Sequence, residues 1–168
     1  GYSASLPRGS RRVMVLWLMK ILVVDDDPIV LDICKSFLEN IGYEDVHLAQ
    51  DAGEALRLID GSRASFDCFL LDINMPEKSG IELIADIRSR AGYEFAPIIM
   101  STAQESPQYI AEAFAAGALD YLVKPFEIFD LETRMHALEM HSFEIAQWHR
   151  NRDGVMSSND NLTKHIEM

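Results

Sequence analysis

Short apolar runs alternate five times with stretches of helical periodicity, and this alternation constrains the fold more than any other feature of the chain. The apolar runs predict strands at residues 20–25, 45–49, 67–72, 97–101 and 119–123. The helical stretches predict helices that begin at Pro28, Asp51, Ser79, Pro107 and Glu127. Five strand–helix units in series imply an α/β protein, a parallel sheet with helices on both faces. Right-handed crossovers favour the flavodoxin-like strand order 2-1-3-4-5.

Local signals refine the first half of this pattern. Pro28 fits the first turn of a helix and Gly42 fits its end. The more polar strand at 45–49 is predicted at an edge of the sheet, and Asp51 with Glu54 predicts a capping box. The apolar stripe predicted for the first helix consists of Ile29, Ile33, Phe37, Leu38 and Ile41.

Two of the predicted strands end in carboxylates. Asp25, Asp26 and Asp27 directly follow the apolar run at 21–24, and Asp72 ends the run that begins at Cys68. In the predicted order these strands are central neighbours, so their endings converge at one edge of the sheet. Clustered carboxylates repel one another, and a divalent cation with oxygen ligands offsets that repulsion.

The next two strands bring a hydroxyl and an amine to the same edge, from Thr102 and Lys124. Such a site suits Mg²⁺ and a phosphoryl group. Asp26 and Asp72 are predicted to ligate the metal directly, with Asp25 acting through water. Asp72 can also be the nucleophile that forms an acyl phosphate, while Lys124 and Thr102 stabilise the charge on the transferred oxygens.

Four motifs resemble those of the receiver domain of two-component response regulators. They cover residues 21–26, 70–76, 101–103 and 117–126, in the order and spacing of that family, and the resemblance extends from about Met19 to Leu138. One Asp-Asp pair is a weak signal, whereas the four motifs together are highly specific.

The resemblance implies a role for each matching position. Asp72 corresponds to the phosphoacceptor, Asp25 and Asp26 to the acidic pair that holds Mg²⁺, and the backbone carbonyl of Asn74 to a further metal ligand. Asp27 occupies a variable position and receives no metal role.

Three further positions correspond to the switching machinery of the family. Thr102 and Tyr121 match the switch pair, in which the hydroxyl moves toward the phosphoryl group and the aromatic ring turns inward. Lys124 matches the lysine that pairs with the phosphate, and its bond to Pro125 is typically cis in the family. A sensor histidine kinase or phosphotransfer protein would donate the phosphoryl group, and the face made by helix 4, strand 5 and helix 5 would pass the change to an output domain or partner.

Several other interpretations remain open at this stage. Asp25 to Asp27 also suit a helix N-terminus, where the dipole favours acids. A phosphatase with an aspartate nucleophile is an enzymatic alternative, but such enzymes need a second aspartate where this chain has Asn74. A pseudo-receiver that binds partners without phosphorylation is the third interpretation. In the leading interpretation the chain is not a classical enzyme, since it transfers phosphoryl groups only to and from its own Asp72.

Composition limits the partners of the chain. The 168 residues carry a net charge of −12, which argues against direct nucleic-acid binding, and no apolar stretch is long enough to predict a membrane span. Cys34 and Cys68 lie in apolar contexts and are predicted to be free buried thiols, as in the cytoplasm.

The two ends of the chain are predicted to lie outside the domain. Residues 1–18 are interpreted as a cloning remnant or N-terminal extension, residues 19–138 as the domain, and residues 139–168 as a helical extension or linker. A loose heptad continues into that extension, so a homodimer through the last helix, or through the face made by helix 4, strand 5 and helix 5, is a further expectation. We expect the extension to lead to an output domain, with a stand-alone regulator as the alternative.

Overall fold

A computed structural model describes residues 19–103 and 106–141 and contains one five-stranded sheet. The strands are β1 (Lys20–Val24), β2 (Asp45–Ala49), β3 (Cys68–Asp72), β4 (Ile98–Thr102) and β5 (Asp120–Val123). All neighbouring pairs are parallel and the order is β2-β1-β3-β4-β5. The predicted strand order is therefore confirmed, including the edge position of β2.

Five helices connect and follow the strands. They are α1 (Pro28–Ile41), α2 (Ala52–Gly61), α3 (Gly80–Arg88), α4 (Pro107–Ala116) and α5, described over residues 128–141. The described residues divide into two compact units after Arg134. The predicted extension beyond residue 141 and the N-terminal residues 1–18 lie outside the described residues. Within the described part of the chain, no helix is both long and apolar enough to cross a membrane.

The sheet has two differently packed faces because successive strand residues point to opposite sides. One buried cluster contains strand residues such as Leu71, Ile98 and Met100 together with residues of α2, α3 and α4. The alternate strand residues, such as Leu70 and Ile99, are also buried but lie outside that cluster. Burial on both faces explains why β1, β3 and β4 are continuous apolar runs.

The predicted stripe of α1 is confirmed at Leu38 but is wrong at Ile29 and Ile33. The helix begins at Pro28 after the N-cap Asp27 and ends at Gly42, whose φ is +118°, as the sequence signals indicated. However, its buried residues are Leu31, Cys34 and Leu38, while Ile29 is 68% exposed and Ile33 is 43% exposed. The first half of α1 is apolar around most of its circumference, so spacing alone did not identify which side faces the sheet.

Side-chain caps fix where α2 and α3 begin. Asp51 Oδ1 accepts from Glu54 N at 2.7 Å, but the Glu54 carboxylate accepts from Gln50 N, one residue before the expected partner. A complete capping box forms instead at α3, where Ser79 and Glu82 exchange backbone and side-chain hydrogen bonds. The start of α3 lies close to the end of β3, since Gly80 N donates to the Ile73 carbonyl at 2.9 Å.

Candidate functional site

Three carboxylates meet at the carboxyl edge of the sheet. Asp25 and Asp26 follow β1, and Asp72 is the last residue of β3, the neighbouring strand. Each offers one oxygen such that all three oxygens lie within 4.8 Å of one another. Asp25 and Asp72 are buried, whereas Asp26 is exposed. The parallel pairing of β1 with β3 therefore brings together acids that are separated by more than forty residues in sequence.

Lys124 follows β5 and reaches across the sheet edge to two of these acids. Its Nζ lies 2.5 Å from Asp25 Oδ2 and 3.3 Å from Asp72 Oδ1. The ammonium group is shielded, since the lysine side chain is only 18% exposed and the two carboxylates are 3% and 6% exposed. The bond from Lys124 to Pro125 is cis.

Burial and charge act in opposite directions on these groups. Burial raises the pKa of Asp72 to about 6, because the ionised form loses hydration, while Lys124 acts to lower it and Asp25 to raise it. Burial acts to lower the pKa of Lys124, but the hydrogen bond to Asp25 and the charge of Asp72 outweigh that effect and raise it. The lysine is thus held in its charged form between two acids.

The backbone after Asp72 is held by short-range contacts. Asn74 N donates to Asp72 Oδ1 at 3.3 Å, and Gly80 N donates to Ile73 O at 2.9 Å. Between them, Glu77 adopts a φ of +68°, which is unusual for a residue with a side chain. These contacts hold both ends of the loop from β3 to α3 close to the end of β3.

Gly80 is a supporting residue that the sequence analysis did not single out. A Cβ atom there would lie 2.0 Å from the carbonyl oxygen of Asp72 and 2.9 Å from Met100 Cε. The sequence offered only a glycine in the first turn of a predicted helix, with no sign of what a side chain there would meet. Its role becomes visible only when the distance between α3 and β3 is known.

Thr102 lies at the carboxyl edge of the sheet, whereas Tyr121 lies within β5, where it pairs with Met100. Thr102 is the last residue of β4 and is fully buried. Tyr121 in β5 is half-buried, and its ring packs edge-on against Phe114 of α4 at a centroid distance of 6.0 Å. All seven residues predicted for the site therefore come from the carboxyl edge of the sheet or from β5 beside it.

The donor set fits Mg²⁺. The metal prefers oxygen ligands and keeps several of its waters, so two or three carboxylates together with an exposed opening are sufficient. Two of the three acids, Asp25 and Asp72, are buried and share Lys124 as a cationic partner. One positive charge cannot neutralise several carboxylates, so negative charge at the site stays uncompensated. Asp26 lies at the solvent side, where a hydrated cation would enter.

Comparison with known proteins identifies the family. The sequence model of the family described as response regulator receiver domain matches residues 21–136 of this chain. The chemotaxis protein CheY1 of Helicobacter pylori is 39% identical over 108 residues, which cover 64% of this chain and 86% of the relative. The response regulator MprA of a Mycobacterium species is 42% identical over 120 residues, 71% of this chain but 50% of the relative.

Solved structures agree with this assignment. The chemotaxis response regulator CheY4 of Vibrio cholerae has a TM-score of 0.66 at 36% identity, covering 71% of this chain and 98% of that chain. The receiver domain of the sensor histidine kinase PA1611 from Pseudomonas aeruginosa was solved with a magnesium ion coordinated in its active-site cleft. Its TM-score is 0.62 at 30% identity, and the match covers 73% of this chain and 95% of that receiver domain.

The chain belongs to the response regulator receiver domain family. Receiver domains of this family are the phosphoacceptors of two-component signalling, bind Mg²⁺ at an acidic pocket and interact with histidine kinases or phosphotransfer proteins.

Proposed function

We propose that this chain is a phosphorylation switch in which Asp72 accepts a phosphoryl group from a sensor histidine kinase or a phosphotransfer protein. The observation that supports it best is the convergence of Asp25, Asp26, Asp72 and Lys124 at one sheet edge. In the transfer, a carboxylate oxygen of Asp72 forms a bond to phosphorus as the bond from phosphorus to the donor breaks, giving an acyl phosphate. Phosphoryl transfer depends mainly on positioning and charge, which this cluster supplies.

The other residues have supporting roles in this proposal. Asp25, Asp26, Asp72 and the backbone carbonyl of Asn74 would hold Mg²⁺, which when bound neutralises charge on the transferred oxygens. Lys124 would turn from its carboxylate partners to a phosphoryl oxygen, and the Thr102 hydroxyl would donate to another.

The proposed readout is the face formed by α4, β5 and α5. Tyr121 is half-buried against Phe114, which itself is 44% exposed, so an inward turn of the tyrosine ring would change the surface of α4. Arg134 of α5 contacts Asp120 at 3.3 Å and the carbonyl of Tyr121, also at 3.3 Å. These contacts connect the backbone of Tyr121 to α5, so a rearrangement there would affect both helices that flank β5.

Partners and location follow from the same proposal. The output domain and a homodimer through this face or through α5 stay predictions, as does a cytoplasmic location, which suits the buried free thiols of Cys34 and Cys68. Burial raises the pKa of Cys34 to about 12, so this thiol stays protonated and unreactive.

The decisive experiment is phosphorylation with a small donor. The purified chain is incubated with Mg²⁺ and acetyl phosphate, and a gain of one phosphoryl group is measured by intact-protein mass spectrometry. Asp72→Ala should abolish the gain, while Asp32→Ala, which removes an exposed acid of α1, should retain it. Equal labelling of the Asp72→Ala protein would refute the assignment.

The same samples separate the alternatives. Steady turnover of p-nitrophenyl phosphate would favour a phosphatase, although Asn74 stands where such an enzyme needs an acid. Absence of heat on Mg²⁺ titration, together with absence of labelling, would favour a pseudo-receiver.

A further inference from the structure

One buried hydroxyl at the site has no hydrogen-bond partner within the described part of the chain. Ser101 is 2% exposed, and its Oγ is the buried side-chain atom for which no donor or acceptor is found among those residues. Leaving a buried hydroxyl unpaired lowers stability, and native proteins keep few such groups. Sequence alone gave no reason to choose Ser101 over its neighbour Thr102.

The register of the sheet places Ser101 next to the phosphoacceptor. Ser101 of β4 is the Cα partner of Asp72 in β3, and Ile73 N donates to the Ser101 carbonyl at 3.0 Å. Paired residues of parallel strands project their side chains to the same face, with strands about 4.8 Å apart. Met100, one residue earlier, belongs to the cluster on the opposite face. The Ser101 side chain therefore lies on the same face of the sheet as the Asp72 side chain, at the paired position of the neighbouring strand.

The hydrogen bonds that Asp72 already receives are long. Asn74 N and Lys124 Nζ each lie 3.3 Å from the same oxygen, Oδ1, and Lys124 is closer to Asp25, at 2.5 Å. Asp72 therefore has capacity for a further donor, especially if Lys124 is drawn away by a phosphoryl group.

We propose that Ser101 is a positioning residue for Asp72, whose hydroxyl donates to the Asp72 side chain when Lys124 turns toward the phosphoryl group. The inference rests on the proposed function. The movement that this requires of Ser101 is rotation about its Cα–Cβ bond, between staggered positions. A group that is unpaired in the unmodified protein and paired in the phosphorylated protein shifts the equilibrium toward the phosphorylated form. Ser101 would thus favour the switched state.

The test compares the full chain with Ser101→Ala and Ser101→Thr. Binding of trifluoroberyllate, a phosphoryl mimic, is measured by calorimetry in saturating Mg²⁺, and urea unfolding is measured without the mimic. We expect Ser101→Ala to weaken mimic binding by about fivefold, as for loss of one hydrogen bond to an uncharged carbonyl oxygen. The same variant should unfold at an equal or higher urea concentration, and Ser101→Thr, which keeps the hydroxyl, should bind nearly as tightly as the parent.

Two outcomes would overturn the inference. The first is equal mimic binding by Ser101→Ala and the parent. The second is a loss of unfolding stability in Ser101→Ala that matches its loss of binding, since this indicates a packing role alone. If Ser101→Ala does not fold, Ser101→Cys replaces it, because the thiol has a similar shape but is a weak donor. Ser101→Cys should then bind the mimic as weakly as is expected for Ser101→Ala. Binding by Ser101→Cys as tight as that of the parent would overturn the inference.

Failure of this inference and failure of the proposed function have different signatures. If acetyl phosphate labels the parent at Asp72 and Ser101→Ala still binds the mimic as tightly, only the role of Ser101 is wrong. If the parent is not labelled at all, the proposed function is wrong and the role of Ser101 fails with it.

Discussion

At the scale of single residues, the site depends on contacts between parts of the chain that are distant in sequence. Lys124 and Asp25 are 99 residues apart and form a hydrogen bond of 2.5 Å. The sequence could predict that both lie at the same edge, because strand endings and strand order are readable from apolar runs and turn residues. It could not predict that Lys124 lies closer to Asp25 than to Asp72, because that difference depends on side-chain rotamers and sub-ångström spacing.

The positive φ of Glu77 leads to a prediction about stability. At +68°, a side chain crowds its own backbone, whereas glycine adopts this conformation without strain. Glu77→Gly should therefore raise the free energy of unfolding, by about 1 kcal/mol. Urea unfolding of the metal-free chain provides the measurement.

A matched variant separates the backbone effect from the charge effect. Glu77→Ala removes the exposed carboxylate but keeps the Cβ and hence the strain. It should gain less stability than Glu77→Gly. Equal gains in the two variants would show that relief of charge repulsion, rather than of backbone strain, is responsible.

At the scale of helices and strands, the sequence predicted the presence and order of the elements better than their orientation. The limits of α1 are encoded locally, by Pro28 at the start and Gly42 at the end. Its buried side is not encoded locally, because Ile29 and Ile33 are as apolar as Leu31 and Leu38. Only packing of α1 against the sheet decides between these two apolar sides, so a spacing rule applied to one helix cannot make the choice.

The docking of α3 onto β3 yields a second prediction at this scale. A Cβ at Gly80 would lie 2.0 Å from the Asp72 carbonyl oxygen, a backbone atom that cannot move without displacing β3 or the loop after it. Gly80→Ala should lower the free energy of unfolding by about 3 kcal/mol or more, as for severe overpacking. It should also slow labelling of Asp72 by acetyl phosphate, because the displaced backbone carries the proposed phosphoacceptor.

Gly61→Ala is the appropriate control for this prediction. Gly61 is the last residue of α2, and a Cβ there would meet no atom within 4 Å. Alanine is the better helix former, so this variant should be neutral or more stable, by up to about 1 kcal/mol. A Gly80→Ala protein that is as stable as Gly61→Ala, and is labelled at the parent rate, would contradict the close approach of α3 to β3.

At the scale of the whole molecule, the site makes the stability of the metal-free protein depend on pH. The pKa of Asp72 is raised from 3.8 in the unfolded chain to about 6 in the folded protein, mainly by burial. Between these values the folded state binds more protons than the unfolded state, so stability falls as pH rises. Above about pH 6 the ionised carboxylate lowers the free energy of unfolding by up to about 3 kcal/mol. Below the unfolded pKa this destabilisation is absent.

Asp72→Asn should remove this pH dependence, because the amide keeps the shape of the side chain but carries no charge. Unfolding of the parent and the variant is measured between about pH 5 and pH 8 with a chelator present, and taking the difference cancels the titration of groups shared by both proteins. The stability advantage of Asp72→Asn should grow as pH rises through about 6 and then level off. Saturating Mg²⁺ should reduce the advantage at pH 8, since a bound cation stabilises the folded parent and interacts more weakly with the amide. A difference that does not change with pH would show that burial does not destabilise the Asp72 carboxylate, and that Lys124 fully compensates its charge.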